Sequence, residues 1–252
     1  MENIQSILKE IERKKKVKIL YACETGSRAW GFPSPDSDFD IRFIYMHEKD
    51  WYLSLGERKD TIEIMDGDLD ITGWDLKKSL ILLKKSNAPL IERFNSPIEY
   101  FSEPGFKENF KDLVSAYYSP IAVFFHHHSL AKKFWFDLKD EEEFKLKSFF
   151  YLIRSLLSCN WILKDNSVLP MDIEGLMKYI DNEHRENLGR LIKLKATVEE
   201  KYLHKKDEKM NAWILSLLEY IEASKDNLIV NKSDMSLLND FFLIMLYEKV
   251  DN

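Results

Sequence analysis

The sequence predicts an α+β fold in which strands are confined to the first hundred residues and helices fill the rest of the chain. Apolar and polar side chains alternate in short runs before residue 75, and apolar residues recur at helical spacing after it. The chain has 252 residues, of which 45 % are hydrophobic, so it can bury a substantial core. We expect an α/β core over residues 1–100 and a helical domain over residues 101–252.

In the first half, periodicity and turn residues predict the elements in order. Apolar residues at helical spacing predict one helix, and short apolar or alternating runs predict strands. Asp66-Gly67 is a strong signal for a tight hairpin turn, and Asp75 suits the N-cap of a following helix. The predicted elements are a helix over 4–13 and strands over 17–22, 39–45, 61–65 and 69–74.

Beyond residue 75 the pattern is helical, and no further strand is predicted. Pro120, Pro170 and short polar joints separate the helical segments. The predicted helices cover 106–117, 120–138, 142–164, 172–181, 184–204, 207–225 and 234–249.

Composition excludes several classes of protein. The net charge of −6 provides no global basic field, so long contacts with duplex DNA are not expected. Cys23 and Cys159 lie in apolar contexts, as expected for buried thiols in a reducing compartment. The first residues lack a signal-peptide pattern, and no apolar run is long enough to span a bilayer. These features predict a soluble cytoplasmic protein with no membrane contact.

The strand predicted over 39–45 places Asp38, Asp40 and Arg42 on one face. Two such close carboxylates repel unless a cation lies between them. Carboxylate oxygens suit Mg²⁺, and two Mg²⁺ ions support phosphoryl transfer, so Asp38 and Asp40 are predicted metal ligands and catalytic residues. A third carboxylate should come from a neighbouring strand: Asp70 is the candidate, and Asp68 is the fallback.

The Gly26-Ser27 turn precedes this strand and suits a phosphate group. Glycine lets the backbone approach phosphate oxygens, and the serine hydroxyl and amide can donate to them. The predicted nucleotide-binding residues add cations from both halves to this turn, and they are Gly26, Ser27, Arg28, Arg42, Lys77, Lys147 and Arg154. Arg154 interrupts an apolar run, where a buried charge requires a partner or a ligand.

These residues carry a family resemblance. Gly26-Ser27, Asp38-Phe39-Asp40 and Asp70 resemble the Gly-Ser, Asp-x-Asp and third-Asp pattern of the DNA polymerase β nucleotidyltransferase superfamily. Within it, the chain is similar to predicted nucleotidyltransferases associated with RNA repair ligases, also found in bacteriophages. The resemblance covers most of residues 17–165, and its further segments are 73–78, 87–92, 96–100 and 151–157.

The resemblance implies a mixed sheet, magnesium and a nucleoside triphosphate donor. The acceptor it favours is an RNA or tRNA end, with a small metabolite or a protein side chain next. The chain departs from that group in one region. It has Asn87-Ala88-Pro89 and Glu92-Arg93 where the group often shows Asn-Pro followed by Glu-Trp.

Two other functional classes stay open at this stage. One is a non-catalytic nucleotide-binding or interaction module that kept the fold. The other is a toxin-antitoxin type modifier of a protein or tRNA. The run His126-His127-His128 does not favour a metal site, because consecutive helical residues point about 100° apart; one of the three could instead face the nucleotide or acceptor.

Overall fold

Five strands form one sheet in this computed structural model, which describes residues 2–56, 58–225 and 234–247. The strands are β1 (Lys18–Glu24), β2 (Phe39–Met46), β3 (Thr61–Asp66), β4 (Leu69–Asp75) and β5 (Glu99–Ser102). Their order in the sheet is β3-β4-β2-β1-β5. Strands β2 and β4 are parallel, and the other neighbouring pairs are antiparallel. The sheet is therefore mixed, as the resemblance implied.

Helices make up most of the rest of the described chain, and the α+β class is confirmed. A 3₁₀ turn at Met177–Tyr179 continues the ninth helix. The helices are α1 (Glu2–Lys15), α2 (Gly26–Trp30), α3 (Lys49–Leu53), α4 (Leu76–Lys84), α5 (Ala88–Arg93), α6 (Phe106–Tyr117), α7 (Pro120–Leu138), α8 (Leu146–Asp165), α9 (Ile173–Leu176), α10 (Asn182–Lys195), α11 (Glu208–Ser224) and α12 (Ser236–Tyr247).

Local side-chain chemistry explains several of these boundaries. Asp75 caps α4 by accepting the Lys77 N–H at 2.8 Å, as predicted. Gly67 has φ +56° in the tight turn between β3 and β4, a left-handed conformation that glycine adopts without strain. The residues of the predicted Gly-Ser turn instead form the short helix α2.

The prediction that no strand follows residue 75 is wrong. Strand β5 pairs with β1, and two short strands, β6 (Glu143–Lys145) and β7 (Leu203–Lys205), form a second sheet. Each is only three or four residues long, too short for alternation to be visible in the sequence. The helices predicted over 142–164 and 184–204 are shortened accordingly. Residues 248–249 of the last predicted helix lie outside the described residues.

The chain divides into two compact units, each discontinuous in sequence. The first contains Met1–Gly26, Asp38–Tyr118 and Asn231–Asn252. The second contains Ser27–Ser37 and Ser119–Val230. The predicted division at residue 100 falls inside the first unit.

Part of the core of the first unit lies between the sheet and α1. Strand β1 is buried along almost its whole length, which explains its continuous apolar run. Ile4, Leu8 and Ile11 of α1 belong to one hydrophobic cluster with Ile41 and Phe43 of β2. This cluster joins α1 to the sheet.

In the second unit, buried contacts hold the segment 27–37. The Lys195 ammonium, 1 % exposed, donates to the Ser34 hydroxyl at 2.8 Å. The Phe32 ring stacks on Phe150 with centroids 4.9 Å apart. The Glu200 N–H donates to the Asp36 carboxylate at 3.0 Å.

Within the described residues, no helix is long and apolar enough to cross a membrane.

Candidate active site

Asp40 and Asp70 form a carboxylate pair on adjacent parallel strands. Asp40 of β2 and Asp70 of β4 are register partners, so their side chains leave the same face at neighbouring positions. The Arg42 Nη2 donates to Asp40 Oδ1 at 2.9 Å and to Asp70 Oδ2 at 2.7 Å. Less than a third of each of these three side chains is exposed. The two predicted carboxylates therefore converge on one cation.

Gly26 lies directly against Asp40. A Cβ built on Gly26 would stand 1.9 Å from Asp40 Oδ2, and the residue has φ +62°. The preceding Thr25 N–H donates to the Asp40 carbonyl at 2.8 Å, which holds the end of β1 beside the start of β2. Both the close approach and the left-handed backbone therefore require glycine here.

Glu24 holds Asp40 through a buried hydrogen bond, and this role of Glu24 was not predicted. Its side chain is fully buried and accepts the Asp40 N–H at 2.6 Å on Oε1. The Tyr100 hydroxyl of β5 donates to the other oxygen, Oε2. A carboxylate at the end of the otherwise apolar β1 was the available signal, because a buried charge requires partners.

Arg93 is a second residue that the prediction missed. Its guanidinium is 3 % exposed and lies over the Trp74 ring of β4, 3.5 Å from the centroid. Among the described residues, its Nη1 has no hydrogen-bond partner. Burial lowers the pKa of this guanidinium, and the charge of Arg42 lowers it further. The Arg93 guanidinium is therefore a buried cation beside β4.

The other acidic candidates have different positions. Asp38 is exposed and lies one residue before β2, whose ladder starts at Phe39. Asp68 is exposed in the turn between β3 and β4, and its carbonyl accepts the Phe39 N–H at 2.8 Å. Arg42 therefore pairs with Asp70 and not with the fallback Asp68.

A metal site is not preformed in the described part of the chain. No group of three or more His, Cys, Asp or Glu side chains there is arranged to hold an ion. Around Asp40 and Asp70, the guanidinium of Arg42 instead supplies the positive charge. Carboxylate oxygens are nevertheless the ligands that a hard divalent cation such as Mg²⁺ prefers.

The predicted nucleotide-binding residues of the second unit form contacts within that unit. Arg28 donates to the Ser37 carbonyl at 2.9 Å, and Lys147 pairs with Glu200 at 2.7 Å. Arg154 donates to the Met171 carbonyl and lies over the Trp30 ring, 4.5 Å from its centroid. Ser27 is buried, and its carbonyl accepts the Phe32 N–H. Lys77, in the first unit, is exposed on α4. Their roles toward a nucleotide stay predictions.

The histidine run lies on α7. His128 is buried, stacks on Phe124 and pairs through Nε2 with Glu222 Oε1 at 2.9 Å. Lys225, Lys132 and His128 together lower the pKa of Glu222 to about 2. This contact explains one of the three histidines as a structural residue.

Asp75, at the end of β4, is a buried acid with a raised pKa. Its Oδ2 accepts the Tyr52 hydroxyl at 2.7 Å, and its Oδ1 caps α4. Burial raises its pKa to about 6, although the hydrogen bonds from Tyr52 and the α4 backbone oppose this shift. The carboxyl group of Asp75 therefore titrates near pH 6 in the folded chain.

Comparisons with known proteins identify the family to which the chain is similar. A family model described as "RNA repair pathway DNA polymerase beta family" (RlaP) matches residues 1–244. The chain is also 38 % identical over 246 residues to an uncharacterized protein, YcgL, of Bacillus subtilis (strain 168). That similarity covers 96 % of this chain and 95 % of the relative.

Proposed function

Because the chain belongs to the RNA repair pathway DNA polymerase beta family, we propose that it is a metal-dependent nucleotidyltransferase. It moves a nucleoside monophosphate from a nucleoside triphosphate to an acceptor hydroxyl, which we propose is an RNA end. The hydroxyl oxygen bonds to the α-phosphorus and gives up its proton. The bond from the α-phosphorus to the bridging oxygen breaks in line, and pyrophosphate leaves.

One observation carries the proposal: Asp40 and Asp70 meet at a single guanidinium group. Two carboxylates from adjacent strands, 2.9 and 2.7 Å from the same nitrogen, concentrate negative charge at one point. Such a pair is unfavourable without a cation. Gly26 lies beside the pair, where any Cβ would collide with the Asp40 carboxylate, so a glycine is needed to keep this carboxylate in place.

Asp38, Asp40 and Asp70 would hold the two Mg²⁺ ions. Bound there, magnesium would neutralise charge on the triphosphate and lower the pKa of the attacking hydroxyl. The chain's own groups do the positioning. Glu24 holds the Asp40 backbone through its N–H, and the parallel register of β2 and β4 keeps Asp70 beside Asp40.

Arg42 has two roles in this proposal. It neutralises Asp40 and Asp70 when the nucleotide and metal are absent, which keeps the pair in place. When the donor binds, the same guanidinium can turn to the phosphate oxygens, for which its planar fork is suited. Gly26 leaves the backbone open to the triphosphate, and Ser27 follows it in the chain.

The experiment incubates the full chain with α-labelled nucleoside triphosphates, Mg²⁺ and separated pools of RNA and protein. We expect label on RNA ends and release of pyrophosphate. Asp40→Asn should abolish transfer and leave the fold intact, because the amide has the shape of the carboxylate. Asp68→Asn is the matched control, since it makes the same change at an exposed acid of the neighbouring turn, and it should transfer normally.

The alternatives give different results. Nucleotide binding that ignores Mg²⁺, with no labelled product in any pool, would indicate a non-catalytic binding module. Label on a protein or on internal tRNA positions would indicate a modifying enzyme of the toxin-antitoxin type. Undiminished transfer by Asp40→Asn would remove the proposed mechanism.

A further inference from the structure

The second unit contains a cavity of about 460 Å³, and every residue that lines it belongs to this unit. It lies among the end of α7, the start of α8, α10, the two-stranded β6–β7 sheet and the start of α11. Buried Leu138, Phe149 and Met210 provide apolar walls. Sites for small ligands typically measure roughly 300–1,000 Å³, so the cavity can hold one nucleotide-sized molecule.

Positive charge surrounds this cavity. Arg190, Lys205, Lys206 and Lys209 all line it. Among residues 2–56, 58–225 and 234–247, none of these four forms an ion pair with a carboxylate. The lining also contains two acids, Glu183 and Asp207, and Asp207 caps α11 by accepting the Met210 N–H at 2.7 Å. The four basic residues therefore outnumber the acids of the lining by two. In a chain of net charge −6, this local excess of cations favours an anionic ligand.

An aromatic surface lies beside the cations. Trp135 is half-buried in the cavity wall, and in the described part of the chain it contacts no other aromatic ring. Phe144 is also in the wall, but Phe149 already stacks on it at 5.3 Å. The indole ring of Trp135 is therefore the aromatic surface left for a planar ring. Asn211 also lines the cavity, and its amide can donate to and accept from a base edge.

We propose that this cavity binds one nucleotide unit of single-stranded RNA. The base lies on Trp135, and the phosphate lies among Arg190, Lys205 and Lys209. Base stacking with flanking cations is how proteins hold single strands without reading sequence. The inference rests on the proposed function in one respect. Because the proposed acceptor is an RNA end, we assign the bound nucleotide to an RNA strand rather than to the free nucleotide pool.

The test measures fluorescence anisotropy of fluorescein-labelled single-stranded oligoadenylate with the full chain. EDTA is present and no nucleoside triphosphate is added, so transfer plays no part. Lys205→Glu combined with Lys209→Glu reverses two exposed charges of the cavity, and we expect binding to weaken about tenfold or more. Lys133→Glu combined with Lys193→Glu is the matched control: both lysines are exposed residues of the same unit outside the cavity, and the net charge changes equally.

If both double variants lost binding equally, or if neither lost binding, the cavity would be ruled out as the binding site. Trp135→Leu keeps an apolar side chain but removes the stacking face, and it should weaken binding about tenfold with unchanged far-UV circular dichroism. Unchanged binding by Trp135→Leu would contradict the assigned base position.

Competition with adenosine 5′-monophosphate identifies the source of the nucleotide. If the monophosphate displaces the strand only at concentrations far above those of unlabelled oligoadenylate, the ligand is a strand. If both compete equally, the site takes free nucleotides and the assignment to RNA is wrong. The Asp40→Asn protein is measured in parallel. Its binding should equal that of the wild type, so loss of transfer and loss of binding are read separately.

Discussion

The buried carboxylate of Glu24 accepts the backbone N–H of Asp40 at 2.6 Å. Glu24 is the last residue of β1 and Asp40 is the second residue of β2, so this bond ties the end of β1 to the residue of β2 that carries the carboxylate. The Tyr100 hydroxyl completes the arrangement from β5. We therefore regard Glu24 as a positioning residue for Asp40.

Glu24→Ala should lower the transfer rate and destabilise the fold. The change leaves the Asp40 N–H and the Tyr100 hydroxyl without their acceptor, which costs about 1–3 kcal/mol for a buried polar group. Chemical denaturation and the transfer assay measure the two effects. Glu24→Gln keeps an acceptor oxygen for the N–H and should recover most of the stability and rate; failure to recover either would contradict the positioning role.

Gly26→Ala should greatly lower the transfer rate, with only a small loss in the free energy of unfolding. The new Cβ would meet Asp40 Oδ2, the tip of a side chain that can rotate away and so lose its position beside Asp70. The left-handed backbone adds a strain of about 1 kcal/mol. The transfer rate and the free energy of unfolding are measured together.

Gly67→Ala is the matched control for this change. Gly67 also has a positive φ, of +56°, but a Cβ there would meet nothing within 4 Å. It should show the backbone strain alone, with a normal transfer rate. Equal transfer rates in the two variants would show that the contact with Asp40 has no catalytic consequence.

Arg42→Gln should make the fold depend on magnesium. Without the guanidinium, Asp40 and Asp70 repel, and we expect a loss of about 1.5–3 kcal/mol in EDTA, the range for hydrogen bonds to charged groups. Added Mg²⁺ should raise the Tm of the variant more than that of the wild type, because no internal cation competes. Arg13→Gln, at an exposed position of α1, should show no such difference.

Asp75→Asn should remove one component of the pH dependence of stability. The pKa of Asp75 rises from an ordinary 3.8 to about 6 in the folded chain, so the native state holds a proton that the unfolded state releases. Stability therefore falls as pH increases from about 4 to about 6, by on the order of 2–3 kcal/mol, and then stays level. Denaturation of wild type and variant across this range isolates the contribution.

Asp60→Asn should affect the pH dependence of stability in the opposite direction. The hydrogen bond from Lys78 lowers the pKa of this exposed carboxylate, so its contribution appears as pH increases and is lost at acid pH. The difference between wild type and Asp60→Asn should grow with pH, in favour of the wild type. A difference of the same sign for Asp75 would mean that its carboxyl group is not destabilised by burial.

The sequence predicted β2 and β4, which carry Asp40 and Asp70, and missed β5, β6 and β7. Alternation marked β2 and the turn residues marked β3 and β4, because each element is long enough to display its period. Strand β5 is four residues long and exists through its pairing with β1, a contact between distant parts of the chain. No local pattern records such a partner.

The site divides in the same way. The residue types and spacing predicted that Asp38, Asp40 and Asp70 would converge beside Gly26, and the structure joins Asp40 and Asp70 through Arg42. The support from Glu24, the buried guanidinium of Arg93 and the bridge formed by Arg42 were not predicted. Each depends on contacts between residues that lie far apart in the chain.

By itself, the sequence determined the α+β class, the order of the main elements and the strands on which Asp40 and Asp70 lie. Those features follow from periodicity and local turn chemistry, which act over a few residues. Only the tertiary structure decided that Arg42 lies between the two carboxylates, that the segment after Gly26 belongs to the helical unit, and that basic residues surround an aromatic-walled cavity. These depend on strand register and on packing between residues far apart in the chain, which the sequence pattern does not encode locally.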